Sequence, residues 1–249
     1  MTFEQLFEAA TGHAPYDYQR RLAVGDAGRP CISQLISVPT GLGKTAAVVL
    51  AWLWKRLAPS LNPPWPRRLV YCLPMRTLVE QTRDNAAKWL ENLAKAYPDN
   101  AELKWLVERS PVVLMGGEEL KQTKRDWDLY PERPCVLIGT QDMLLSRALN
   151  RGYGMSRYRW PMHFGLLNND ALWVMDETQL MGVGVETSAQ LDGFRHKAGD
   201  SVIGVCPTWW MSATLDAERF ATVDHPKPDK GWTVIRLEQA DREQPQVHD

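Results

Sequence analysis

The sequence has no closely spaced cysteine pair. Cys31, Cys72, Cys135 and Cys206 lie tens of residues apart with no C-x-x-C among them. Three of them sit in or beside apolar runs and read as small, reduced core residues, with metal ligation a remote alternative. No apolar run approaches the roughly 18 residues that cross a bilayer. The opening MTFEQLFEAA reads as the start of an amphipathic helix and not as a signal peptide, so the expectation is a cytoplasmic protein without membrane contact. Charge of either sign is not in excess: 29 Lys and Arg stand against 30 Asp and Glu, a formal net charge of −1. Any nucleic-acid contact must then come from a local basic patch and not from a global field. The five histidines, His13, His163, His196, His225 and His248, show no metal-ligand spacing, and there is no internal repeat. With 44% hydrophobic and 24% charged residues over 249 positions, the chain can bury a proper core, as one large domain or two small ones.

The apolar residues fall in short runs: QLISV, RLVYCL, VVLM, CVLIG, ALWVM, WWMSA and WTVIRL. These read as strands buried on both faces, and helix-like stretches at 45–57, 75–96, 141–150 and 185–197 lie between them. The alternation predicts an α/β fold, a mostly parallel central sheet covered by helices on both sides. Right-handed crossovers then collect all strand C-termini on one edge, where such folds bind ligands. APSLNPPWPRR and DHPKPDKG read as Pro-rich connections. The polar EQADREQPQVHD reads as the start of a linker, so a single domain is expected over 1–240 and a linker or truncated end over 241–249.

In ISVPTGLGKTAAVVLAWLWKRLA a strand turns into a helix through Pro39-Thr40-Gly41-Leu42-Gly43-Lys44-Thr45. A helix N-terminus with unpaired N–H groups is a phosphate seat. Gly41 and Gly43 let the backbone curl round the anion, Lys44 adds charge and Thr45 can ligate magnesium. The full pattern has glycine where this chain has Val38, and the bland alternative is a glycine turn capping a helix. DALWVM delivers Asp176 and Glu177 to the end of a later strand. Asp176 can hold the magnesium on the terminal phosphates and Glu177 can deprotonate the attacking water; alone, the pair would read as a solvated loop start. WWMSATL ends with Ser212 and Thr214, hydroxyls that can relay hydrogen bonds from the acidic loop, unless Thr214 or Asp216 is simply a helix N-cap. Gln19 in YDYQRRLA can read an adenine edge with its amide, or it is a surface helix residue. LPMRTLVEQT and IGTQDMLLSRAL place Arg76, Thr77 and Gln81, and Thr140 and Gln141, at helix starts suited to a nucleic-acid backbone, as is the Gly116-Gly117 turn.

Taken in order, YxYQ, PTGLGKT, LPMRTLVEQT, GG, GTQDML, DETQ and SAT resemble the first RecA-like motor domain of a superfamily 2 helicase. More narrowly, RGYGMSRYRWPMHFGLLNNDALWVMDETQLMGVGVETSAQLDGFR is similar to the CRISPR-associated helicase-nuclease of type I systems, in the type I-G (formerly I-U) branch. The resemblance covers roughly residues 13–240. It implies a RecA-like three-layer sandwich that binds ATP and Mg2+, with Lys44, Asp176, Glu177 and Gln179 at the reaction. The partners it implies are single-stranded DNA, a CRISPR RNA-guided surveillance complex, and second RecA-like and nuclease domains in cis or trans. Many superfamily 2 loops lack the first glycine. Gln179 stands where many relatives have histidine, the residue that couples nucleotide state to the second motor domain. No counterpart of that second domain, with its arginine finger, or of the His-Asp nuclease is visible, so the chain reads as a fragment or a separately encoded piece.

SRALNRGYGMSRYRW interleaves Arg147, Arg151, Arg157 and Arg159 with Tyr153, Tyr158 and Trp160. Arginines that neutralise phosphates between rings that stack on bases suit a single strand. A docking patch for the surveillance complex and a plain structural loop are the other readings. The expectation is half of an ATP-driven single-stranded-DNA translocase in CRISPR interference. The alternatives are another superfamily 2 subunit, from a restriction or RNA helicase, and a non-hydrolysing adaptor that binds nucleotide and docks a partner.

Overall fold

The computed structural model describes residues 1–25, 31–57, 65–117, 126–198, 203–228, 231–238 and 241. Residues 58–64 and 229–230 of the two Pro-rich connections and the 242–249 tail, including His248 and Asp249, lie outside them. Seven strands form one sheet: β1 (Gln34–Ser37), β2 (Arg68–Leu73), β3 (Val112–Leu114), β4 (Cys135–Thr140), β5 (Ala171–Met175), β6 (Thr208–Ser212) and β7 (Val234–Arg236). Their spatial order is β3-β4-β2-β5-β6-β1-β7, and every pairing is parallel. All seven apolar runs became strands. β7 departs from the expectation of burial on both faces: it lies at the sheet's edge beside β1 alone, half-exposed, with Arg236 in solvent.

The helices are α1 (Phe3–Thr11), α2 (Asp17–Val24), α3 (Lys44–Leu57), α4 (Arg76–Ala96), α5 (Ala101–Arg109), α6 (Gln141–Ala148), α7 (Trp160–Asn168) and α8 (Gly184–Ala198). Their starts follow local chemistry. Thr2 and Gln5 close a reciprocal cap on α1, and the Asn100 side chain accepts the Leu103 N–H at the start of α5. Strand periodicity divides the core in two. Leu69, Tyr71 and Leu73 of β2 face the layer of α1 to α5, while Val70 and Cys72 face the layer of α6 to α8. A central strand must therefore be apolar at every position, which is why these segments read as unbroken runs. All four cysteines are buried thiols. Among the described residues no helix is long and apolar enough to cross a membrane.

The edge carrying the strand N-termini is tied by a buried carboxylate. Asp192 of α8 accepts hydrogen bonds from Ser33 at 2.8 Å and bonds His225 Nε2 at 3.0 Å, and Ser33 Oγ in turn accepts the Thr208 N–H. That anchoring leaves the opposite edge, where β1, β2, β4, β5 and β6 end, to the candidate site.

Candidate functional site

Between β1 and α3 the chain turns through Gly41 at φ +85° and Gly43 at φ +68°, left-handed conformations that glycine adopts without strain. Pro39, Thr40 and Gly41 are exposed on this loop and Leu42 is half-buried. Val38 is fully buried, so the position that departs from the full glycine pattern is a core position, filled by a packed side chain. Tyr18 donates from its hydroxyl to the Leu42 carbonyl. Gln19 is itself buried. Its Nε2 donates to the Gly43 carbonyl at 3.1 Å, and its Oε1 accepts the Tyr16 N–H at 2.8 Å. In this geometry the Gln19 amide braces the loop from beneath, bonded at each end within the protein and keeping a second lone pair for the expected adenine edge.

Lys44 opens α3 and is 6% exposed. Its Nζ stands 3.5 Å from Glu177 Oε1, yet no described atom accepts a hydrogen bond from it. Buried polar groups are nearly always bonded, so an unmatched ammonium at a helix N-terminus fits a phosphate group. Asp176 follows β5 and is buried. Its Oδ2 accepts from the Tyr71 hydroxyl at 2.7 Å and its Oδ1 from the Glu177 N–H at 2.8 Å. Burial pushes the Asp176 carboxyl up to about 6; the Tyr71 bond and the Lys44 charge oppose that rise, and the Glu177 carboxylate adds to it. Thr45 lies beside the same Tyr71 hydroxyl, so Thr45 and Asp176 meet around one phenol. A hydroxyl and a carboxylate here suit a hard divalent cation.

Glu177 adopts φ +55°, a conformation that costs a non-glycine residue about 1–3 kcal/mol and that clusters at functional sites. The turn faces its carboxylate toward Lys44 on one side and Gln179 on the other. Gln179 Nε2 donates to Glu177 Oε2 at 2.5 Å, and Gln179 Oε1 accepts from Ser212 Oγ at 2.6 Å. Ser212 Oγ also accepts the Thr214 N–H at 3.1 Å. A continuous polar chain therefore runs from Lys44 through Glu177, Gln179 and Ser212 to the Thr214 backbone. Thr214 joins it by its main chain, while the capping role falls to Asp216, whose side chain accepts the Glu218 N–H. Tyr71 is the residue that sequence reasoning missed; the signal was a phenol inside an otherwise apolar strand, since a buried hydroxyl needs a partner.

Along the same edge a groove of about 820 Å³ brings together Arg76 at the start of α4, Gly116 after β3, and Thr140 and Gln141 at the start of α6. Gly117, at φ +77°, faces Arg76: a Cβ there would sit 4.0 Å from the Arg76 guanidinium. Gln141 Oε1 is buried without a hydrogen-bond partner among the described residues. Gln81 is exposed on α4 and does not line the groove. Arg157 lines a neighbouring hollow. Arg159 is drawn away from the free-cation role expected of it: Nη2 pairs with the fully buried Asp128 carboxylate at 2.5 Å, and His163 Nε2 bonds the same carboxylate at 2.7 Å.

Residues 22–222 match the DEAD/DEAH box helicase family. No curated protein matches the chain. Among solved structures, Mss116p bound to ssRNA and AMP-PNP is 17% identical with a TM-score of 0.60, over 98% of this chain and 44% of that one. The DUF1998 helicase MrfA bound to DNA is 14% identical with a TM-score of 0.60, over 94% of this chain and 29% of that one. The yeast DEAD-box splicing factor Prp28 is 20% identical with a TM-score of 0.53, over 82% and 42%. The chain thus spans less than half the length of each. At these identities the structural likeness shows the fold, a RecA-like helicase domain. The family match extends over most of the sequence, and the chain belongs to the DEAD/DEAH box helicases as a superfamily 2 ATP-binding motor domain.

Proposed function

We propose that this chain is the nucleotide-binding half of an ATP-dependent motor that moves on a single nucleic-acid strand. The observation that carries the reading is the Lys44 ammonium, buried at the N-terminus of α3, ion-paired with Glu177 and without a hydrogen-bond acceptor among the described residues. Lys44 and the loop amides from Gly41 to Thr45 would hold the phosphates. Thr45 and Asp176 would hold Mg2+, which supplies charge neutralisation on the phosphate oxygens. Glu177 would orient and deprotonate the attacking water, and its contacts with Lys44 and Gln179 set its direction. Gln179, Ser212 and Thr214 would pass the state of the nucleotide to a second RecA-like domain through their hydrogen-bond chain. The groove at Arg76, Gly116, Gly117, Thr140 and Gln141 would carry the strand backbone. Gln81 and Arg157 are peripheral contacts, and Arg159 supports the fold.

The finer reading, single-stranded DNA translocation in CRISPR interference beside an RNA-guided surveillance complex and a nuclease domain, rests on the resemblance of the 151–195 segment to the type I helicase-nucleases. Turnover in this reading needs an arginine supplied by a second RecA-like domain, in cis or trans. The test is a melting experiment with Mg·AMP-PNP. A ligand that binds only the folded state raises the melting temperature by mass action, so the wild-type chain should shift and Lys44→Ala should not. An equal shift in both overturns the phosphate-loop assignment.

A further inference from the structure

The loop from Leu149 to Trp160, which joins α6 to α7, is braced although it is exposed. Buried Arg147 donates from Nη2 to the Tyr153 carbonyl at 3.2 Å and from Nη1 to the Met143 carbonyl at 2.7 Å. Trp160 Nε1 donates to the Gly152 carbonyl at 3.1 Å. Gly152 is packed so closely that a Cβ would meet the Met155 sulfur at 2.1 Å, and the Arg159–Asp128 pair pins the far end. Two successive carbonyls are thus held in place, yet the Tyr153 ring between them is 67% exposed. The bracing presents the ring and does not bury it.

Tyr153 is also where two concavities meet. On one side lies the groove of Arg76, Thr140 and Gln141; on the other lies a hollow of about 560 Å³ whose charged lining is Arg151 and Arg157, with no carboxylate. Tyr153 is the one residue that lines both. Tyr158, though 95% exposed, lines neither. An exposed ring on a braced backbone, sharing its hollow with two guanidinium groups at the end of a groove fed by two helix N-termini, has the chemistry of a single-strand platform: π-faces for bases and cations for the phosphates between them. A protein partner would have to bring carboxylates to match two arginines that have no carboxylate partner among the described residues, whereas a strand already in the groove brings its next phosphate by continuity.

We infer that a single nucleic-acid strand leaving the groove stacks one base on Tyr153 and sets the following phosphate between Arg151 and Arg157. This rests on the proposed strand path through the groove and extends it by one nucleotide beyond the family's motifs.

Photocrosslinking of the full chain to an oligothymidylate carrying 5-iododeoxyuridine, with Mg·AMP-PNP present, tests it. Trypsin cuts after Arg151 and Arg157, so an adduct on Tyr153 appears on peptide 152–157 and one on Tyr158 appears on 158–159. The expected adduct is on 152–157. In anisotropy titrations Tyr153→Ala should weaken binding about five- to 150-fold, the range for one stacked base, and Tyr153→Trp should restore it. Arg151→Ala with Arg157→Ala should lower the slope of log K against log salt by about 1.4, or 0.7 per single-strand phosphate. Loss of binding in Arg76→Ala with Tyr153→Ala unchanged and no adduct on 152–157 overturns the inference, assigns the ring to a protein contact and leaves the groove reading standing. Absence of strand binding by the wild-type chain overturns both.

Discussion

The Tyr71 hydroxyl, delivered from the middle of β2, holds Asp176 Oδ2 at 2.7 Å. The contact follows from register: Tyr71 pairs with Val174 across β2 and β5, two residues before Asp176, on the face toward α3. Both carboxylate oxygens are then oriented, one by the phenol and one by the Glu177 N–H. Partners that orient a metal ligand are worth about 10–100-fold in metal affinity or activity. Tyr71→Phe should therefore raise the Mg2+ concentration needed for nucleotide binding by that factor, read with a fluorescent nucleotide across a magnesium series. Identical magnesium dependence in the variant and the wild type would refute a positioning role.

Asp176 also weighs on the stability of the nucleotide-free chain. Burial pushes its carboxyl up to about 6, above the usual carboxylate range. Between about pH 4 and 6 the folded chain keeps a proton that the unfolded chain has released, so stability falls as pH rises through that window. The difference corresponds to a destabilisation of roughly 3 kcal/mol that is complete at neutral pH. Asp176→Asn, whose amide can still satisfy Tyr71 and the Glu177 N–H, should stabilise the apo chain by about 2–3 kcal/mol at pH 7 and by little at pH 4. Urea unfolding at the two values measures this. The same variant should lose the magnesium-dependent part of nucleotide binding.

Hydrolysis by this chain alone should lie barely above background. A positioned arginine is worth about 10³–10⁵ in phosphoryl-transfer rate, and in the proposed motor it comes from the second domain. Supplying that domain, fused or in trans, should produce strand-dependent turnover, and Glu177→Gln should abolish the gain. Vigorous strand-stimulated ATPase from a verified monomer of residues 1–249 would sink the half-motor reading.

Arg157 and Arg159 are two positions apart and should behave differently. Burial pushes the Asp128 carboxyl up, but the hydrogen bonds and charges of His163 and Arg159 hold it below the usual range. Removing Arg159 leaves a buried carboxylate short of a partner, at a cost of about 1–3 kcal/mol because the guanidinium is itself partly solvated. Arg159→Ala should lower the urea midpoint, and its effect on the salt slope of strand binding should be small; Arg157→Ala should do the reverse. Equal effects of the two on folding would contradict the assignment.

The sheet was legible because parallel strands covered on both faces are apolar along their middles; the runs at 69–73, 135–139 and 171–175 carried that signature. β7 carried it falsely, since an edge strand tolerates apolar residues that it does not bury. Helices α5 and α7 went unnoticed for different reasons. α5 is a short helix that contributes only Leu103 and Leu106 to the core. α7 is apolar on most sides, so it lacks the helical stripe that periodicity detects. Of the site, the loop and the acidic pair announced themselves by residue type. Tyr71 and the bracing by Gln19 did not, because their meaning lies in partners 105 and 24 residues away. The Arg159–Asp128 pair was hidden likewise: charge in sequence does not say whether its counter-ion is a phosphate or a carboxylate.

The placement of β1 between β6 and β7 has a kinetic consequence. The strand that launches the phosphate loop is synthesised before both of its neighbours, which come from the last part of the described chain. At ordinary ribosomal speeds, roughly ten to thirty seconds separate Ser37 from Thr208. Throughout that interval β1 has two unpaired edges and the apolar face of α3 has no finished sheet to cover. Nucleotide therefore cannot template the early steps, because its seat exists only once the sheet closes. The nascent chain should depend on chaperones until then, and a ribosome stalled before residue 208 should hold a segment sensitive to protease and prone to aggregation.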